Sequence, residues 1–492
     1  MEIGFRPKRI TEGKIRVAHV YPGSHKEALA SLGYMTVFSR MNEHPDIVAH
    51  RFDYDHPLSV EENLPIRAYD FVVATVHYEL QLPHLLSFLR KIGFRKERQK
   101  LILGGPAVWN PLPASVFADV VVIGEGEEVA PEIILRMYES EKPEDWTMEG
   151  VFVSALGREQ RVRFARHDLS YRPPAIVAEE SAYGRRAIYI ESSRGCNFGC
   201  RFCLIGWTYR PRRDRRLSQI LEWIAEGIEN GGEKVYFFAS DVLGHPHMEK
   251  ILEVLEEFRV PFSLSSLRFD RLSDSVLETL AGGGVRTLTL APETASERLK
   301  AYINKNIPNE GIVALAKKAR SMGFRKIKLY FMVGLGEDEE DLKAIENLVR
   351  TSRSEASVNA FVPKPYTPFQ WAPFEDIETL RSKLKRLRRS IHADIMNPKK
   401  AWIQALISMG DENIGKIVSA VGDTNFSHWR RALQEMGVDP AKYLRKERET
   451  PWMDVVDTGV KEDYLRREWE RAKAREFTPP CHERCTACGI CL

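Results

Sequence analysis

The chain has seven cysteines, and they stand in two tight sets. Cys196, Cys200 and Cys203 form the first; Cys481, Cys485, Cys488 and Cys491 form the second. A disulfide framework spreads its cysteines to close loops, and an odd count leaves one over. Cysteines used as small core residues scatter along the sequence. Two sets with none between them predict two metal centres in a reducing compartment, and a cytoplasmic location is expected. The 492 residues suggest about three domains. With 43% hydrophobic and 29% charged residues, disorder and collagen-like folds are excluded. Lys+Arg is 72 against Asp+Glu 69, which argues against a surface that coats a polyanion but leaves a local basic groove open. No run of eighteen apolar residues occurs, and the first nine residues lack a signal-peptide core, so no membrane insertion is expected.

Residues 14–141 alternate strand and helix. Apolar runs at 14–20, 71–76, 101–103 and 120–123 read as buried parallel strands, with helices up to about 42, over 82–92 and after 126. Gly104-Gly105-Pro106 and Gly124-Glu125-Gly126 fall at strand carboxyl ends, where such sheets hold ligands and where glycine lets backbone approach a large one. The plain alternative for both turns is strand-to-helix punctuation. No GxGxxG fingerprint supports a nicotinamide or flavin site. Residues 142–186 read as a connector. A second series follows, with strands at 187–191, 234–239, 262–266, 287–291, 326–333 and 357–362 and helices between them. Six βα units predict a full or partial barrel with its chemistry at the strand carboxyl ends. Residues 376–475 read as mainly helical, and 476–492 as a cysteine-rich tail.

Thiolates favour iron–sulfur clusters or zinc. A closed zinc site needs four ligands. The Cys196-x3-Cys200-x2-Cys203 set offers three, which fits a [4Fe-4S] cluster with one iron open to a small molecule. This segment, with Phe202 before the last cysteine, resembles the radical S-adenosylmethionine (radical SAM) superfamily. The resemblance implies that the open iron chelates SAM and that one electron cleaves it to a 5′-deoxyadenosyl radical. It extends to later strand ends. Ser240 and Asp241 would contact the SAM amino group, Arg268 its carboxylate, Glu293 the ribose and Tyr330 the adenine side. A rim salt bridge is the ordinary alternative for Arg268. No catalytic acid or base is assigned.

The N-terminal half narrows the resemblance. Gly104-Gly105-Pro106, Asn110-Pro111-x-Pro113, Phe117-x-Asp119 and Gly124-Glu125-Gly126-Glu127 are similar to the cobalamin-binding class of that superfamily. The segment 203–211 and the cysteine tail match a branch of it. The implied fold is α/β: a Rossmann-like cobalamin-binding domain (1–141), a connector (142–186), a partial (β/α)6 TIM-like radical SAM barrel (187–375), a helical C-terminal region (376–475) and the tail (476–492). No Asp-x-His-x-x-Gly occurs, so no histidine is offered below cobalt.

The four tail cysteines read as an auxiliary [4Fe-4S] cluster, with a mononuclear iron or a structural zinc as the alternative. Arg210, Arg212, Arg213, Arg215 and Arg216 form either a phosphate-facing patch or a solvated lead-in to a helix that pairs with nearby acids. The basic stretch 383–389 reads as an amphipathic helix. The expected activity is methyl transfer to an unactivated carbon, drawing electrons from a flavodoxin- or ferredoxin-like donor. The alternatives are a methylthiotransferase and a non-catalytic RNA-binding protein. RNA base, peptide residue, lipid and small metabolite all remain open as substrates.

Overall fold

The computed structural model describes residues 2–265 and 267–491. The chain divides into two compact units, residues 1–186 with 403–459 and residues 187–402 with 460–492.

The first unit is built on a six-stranded sheet. Its order is Ile47–Phe52, Ile15–Val20, Phe71–Thr75, Lys100–Gly104, Val120–Val122 and Val151–Val153, parallel except for the last strand. Strands buried on both faces explain the near-continuous apolar runs. Strand order reverses between Ile15–Val20 and Phe71–Thr75, which opens a crevice at their carboxyl ends. The Ile47–Phe52 strand is absent from the sequence reading, because its His50 and Arg51 break the apolar run. The fold buries both: His50 bonds Tyr69 Oη at 2.7 Å, and Arg51 pairs with Glu2 and Glu61.

The helical region does not form a body of its own. Residues 403–459 join the first unit, where Asn110 Nδ2 donates to the carbonyls of Ser408 and Gly410 and Arg158 pairs with Glu412. Helix Glu412–Val421 approaches the 113–116 turn so closely that a Cβ on Gly415 would stand 2.1 Å from the Pro113 carbonyl.

Within this sheet His19 is fully buried, stacked on Tyr34 at 4.1 Å between ring centres. Burial, aided by the Arg51 charge, lowers its pKa from 6.5 to about 3. The folded form therefore holds His19 neutral while the unfolded chain takes up a proton below pH 6.5. Stability is full above pH 6.5 and falls as pH drops towards 3. The urea midpoint is expected to fall between pH 7 and pH 4.5, and His19→Phe to flatten that limb.

The second unit carries a parallel series of seven strands. Ala187–Glu191, Lys234–Phe238 and Phe262–Leu264 form one sheet; Thr287–Glu293, Lys326–Val333, Glu355–Ala360 and Ala393–Ile395 form another. A parallel bridge from Leu267 to Leu290 joins them. Ala393–Ile395 is a seventh strand in a stretch expected to be helical; three residues are too few to show an alternation. No ladder among the described residues joins the first strand to the seventh, so the barrel is open. Two cores thus present their strand carboxyl ends, and the first cysteine set follows the first barrel strand.

Candidate active site

The cysteine triad lies on an excursion clamped at its base. Ser193–Arg194 pairs antiparallel with Arg213–Asp214. Gly195 sits at φ +80°, where a Cβ would stand 2.4 Å from the Tyr209 carbonyl. Cys203 caps the helix Leu204–Thr208, its Sγ accepting from Gly206 N at 3.4 Å. Trp207 Nε1 donates to Cys200 O at 2.9 Å. Arg210 reaches back to Phe198 O and stacks 4.1 Å from the Trp207 ring centre.

Burial pushes Cys196 up to about 11 and Cys203 up to about 12, and Cys200 adds to both. Three thiolates persist in such a place only if a cation lies among them. The loop carries all three thiols within eight residues. This donor set fits an iron–sulfur cluster with one iron left for another ligand, and the short spacing makes it local to one turn of chain.

Of the other expected residues, Asp241 and Arg268 stand near this loop. Asp241 is buried and pairs with Arg212 at 3.0 Å and Arg271 at 3.7 Å, and its charge acts on Cys196. Ser240, beside it, is exposed. Arg268 lies 3.2 Å from the Phe198 ring centre and pairs with Asp270 at 2.9 Å, the rim salt bridge of the ordinary alternative. Glu293 ends its strand at φ +67° and pairs with Lys305 at 3.1 Å. Tyr330 is half-buried in mid-strand with the Lys328 ammonium 5.2 Å from its ring centre.

Lys305 and Arg271 were not foreseen. Their signal is tertiary: Lys305 acts on Cys203 from a hundred residues away. The arginine run follows its second reading in pairing with nearby acids, but not in its solvation. Arg210 and Arg215 are buried, Arg212 serves Asp214 and Asp241, and Arg215 serves Glu191 at 2.6 Å. These are barrel ion pairs rather than a phosphate-facing patch, and of the five only Arg216 is exposed. The 383–389 stretch lies in the helix Ile377–Ser390, with Leu380, Leu384 and Leu387 buried and Lys383 paired to Glu337 and Glu375.

In the first unit, Gly105 has φ +99°, and a Cβ there would stand 2.4 Å from Val76 O. Gly124 has φ +108°, and its Cβ would meet Ala165 O at 2.4 Å. Their glycine requirement is met by neighbouring backbone. Gly104 ends its strand, and Pro106 opens a short 3₁₀ turn. Glu125 accepts from His167 N at 3.0 Å, and Gly126 begins the helix Gly126–Glu139.

The tail packs on the triad loop. Cys481 N donates to Asn197 O at 2.7 Å, and His482 stands edge-on to Phe198, 5.5 Å between ring centres. Asn304 Nδ2 bridges the carbonyls of Gly199 and Thr478. Arg201, fully buried, donates to Ala301 O, to Glu468 at 3.2 Å and to Glu476 O at 2.7 Å.

Residues 190–349 match the model of the radical SAM superfamily, and residues 33–159 match that of the N-terminal region of radical SAM proteins. An uncharacterised protein of Methanocaldococcus jannaschii, MJ0966, is 30% identical over 81% of this chain and 90% of its own. The chain belongs to the radical SAM superfamily. Radical SAM proteins use a [4Fe-4S] cluster and SAM and need a reductant. A putative methylthiotransferase of the same organism, MJ0865, is 22% identical over 60% of this chain and 67% of its own. The structure of the radical SAM methyltransferase TsrM from Kitasatospora setae, with cobalamin and a [4Fe-4S] cluster bound, aligns with TM-score 0.58. It is 13% identical and covers 86% of this chain and 99% of that one, so the likeness is one of fold. No described helix is long and apolar enough to cross a membrane.

Proposed function

We propose that this radical SAM protein is a cobalamin-dependent methyltransferase acting on an unactivated carbon. The observation that carries the reading is the pairing, in one chain, of a doubly wound unit with the triad-bearing barrel, a combination whose fold extends over TsrM. When bound, the cluster, SAM and cobalamin supply an electron, a radical and a methyl group. The protein's part is to hold and orient them. Cys196, Cys200 and Cys203 would hold the cluster, and Asp241, Arg268 and Glu293 would orient SAM. The crevice at the strand-order reversal, where His77 and Tyr78 are exposed beside the Gly105 turn, suits a large ligand.

A methylthiotransferase is the second reading, favoured by MJ0865. That chemistry draws sulfur from a further cluster, and the only cysteines beyond the triad are those of the tail. The test is the cofactor content of protein purified without oxygen in cells supplied with cobalamin. One cobalt per chain with a cobalamin absorption spectrum is expected. Failure to bind cobalamin, with SAM cleavage intact, would overturn the methyltransferase reading and leave the second.

A further inference from the structure

Two loops of the doubly wound unit carry a group of side chains that plays no part in the site described above. Strands Ile15–Val20 and Ile47–Phe52 run parallel, with Val20 opposite Phe52 at their carboxyl ends. Beyond that pair the backbones stay bonded, Tyr21 N to Phe52 O at 2.8 Å and Tyr54 N to Gly23 O at 2.9 Å. The loops that leave the two strands are therefore locked side by side, and they bring His25 against Asp53 and His56.

His25 Nδ1 lies 2.7 Å from Asp53 Oδ2, and His56 Nδ1 lies 2.9 Å from Asp53 Oδ1. The Asp53 side chain is 1% exposed, and its Oδ1 also accepts from the backbone N–H groups of Asp55 and His56, each at 3.0 Å. His25 is fixed as firmly. It opens the helix His25–Ala30 behind the Ser24 capping box, and its N–H donates to Asp55 Oδ2 at 2.8 Å. One donor atom from each of the three residues lies within 4.8 Å of the other two. A cation bonded to nitrogen and oxygen at about 2.0–2.2 Å holds neighbouring donors about 3 Å apart, which is the spacing of each imidazole from the carboxylate. A metal-bound imidazole commonly gives its other N–H to a carboxylate. His25 has one at its far edge, since Glu2 Oε1 stands 4.0 Å from Nε2 and is itself held by Arg51. The His56 side chain is 40% exposed, which gives an ion a way in.

We propose that His25, Asp53 and His56 form a binding site for a divalent transition metal of the zinc type, with one nitrogen from each imidazole and one Asp53 oxygen as ligands. Two imidazoles and a carboxylate suit such an ion, whereas magnesium and calcium prefer oxygen shells. With no thiol in the set, the site is chemically distinct from both cysteine sets. Three protein ligands leave a fourth position for water or a small anion. The ion ties the loop after Ile15–Val20, one of the two strands that flank the strand-order reversal, to the edge strand of the sheet. None of the three residues is assigned to cobalamin or SAM, so the site survives failure of the methyltransferase reading.

The test uses full-length protein purified without oxygen with its iron–sulfur clusters in place, so that cysteine is occupied, and zinc as the probe. After zinc is added and the excess dialysed away, the wild type is expected to retain one zinc with nitrogen and oxygen neighbours at about 2.0–2.1 Å by X-ray absorption, distinct from sulfur at about 2.3 Å. His56→Ala and Asp53→Asn are each expected to weaken zinc binding about a hundredfold or more in competition with a chelator. Zinc is expected to raise the melting temperature of the wild type and to leave that of His56→Ala unmoved. His56→Ala shortens a partly exposed side chain and is expected to keep the wild-type far-ultraviolet circular dichroism, which shows that the sheet is intact. No retained zinc, zinc bound through sulfur alone, or wild-type affinity in both variants would each overturn the proposal.

Discussion

Cys200→Ala is expected to reduce SAM cleavage to the background of iron-free protein, because the cofactor and not a side chain carries the chemistry. Its sulfur is the middle one of three on a single clamped excursion, and its carbonyl is held by Trp207. The other two thiols are pushed up by burial, which outweighs the lowering by Arg268 at Cys196 and by Lys305 at Cys203. Two sulfurs leave the cluster under-ligated, so about four irons should be lost with the activity. Iron and 5′-deoxyadenosine measured on the same sample check this. Retained cleavage in protein lacking that iron would remove the triad from the reaction.

Arg201→Ala is expected to be the most destabilising single change in the second unit. Its guanidinium and the Glu468 carboxylate are 0% and 1% exposed. Truncation removes the buried one of the carboxylate's two arginine partners and leaves the half-exposed Arg471 at 3.0 Å; breaking such a buried pair costs about 3–5 kcal/mol. It also frees the carbonyls of Ala301 and Glu476, so the loss extends to the packing of the tail. Urea denaturation checks the magnitude, and protease cleavage between 476 and 491 checks the release of the tail. Arg201→Lys restores the charge but not the fork, and is expected to recover only part of the loss.

Several parts of this site are readable before folding because their ligands are close in sequence. Three cysteines within eight residues specify one loop, and the buried strands before and after it specify where that loop stands. The residues that shape the site electrically are of another kind. Lys305, Arg271 and Asn304 have no local pattern; each gains meaning when a later strand or helix returns to the loop. The arginine run shows the converse. Its composition suggests a polyanion surface, while Asp241 and Glu191, at the ends of two different strands, absorb it. The missed strands fail for simple reasons: Ile47–Phe52 carries two buried polar residues satisfied only by tertiary partners, and Ala393–Ile395 is too short to show a period.

The division of the helical region has a consequence for how the chain is made. Residues 403–459 complete the first unit but leave the ribosome after the whole of 187–402. At roughly 5–20 residues per second, the N-terminal sheet waits about 10–40 s for its remaining helices. Through that interval the 113–116 turn that receives Gly415 and the Asn110 amide that binds Ser408 stand without their partners. The second unit then awaits 460–491 in turn. The triad loop receives its contacts from Cys481 and, through Asn304, from Thr478 last, once residues 478–481 have been made.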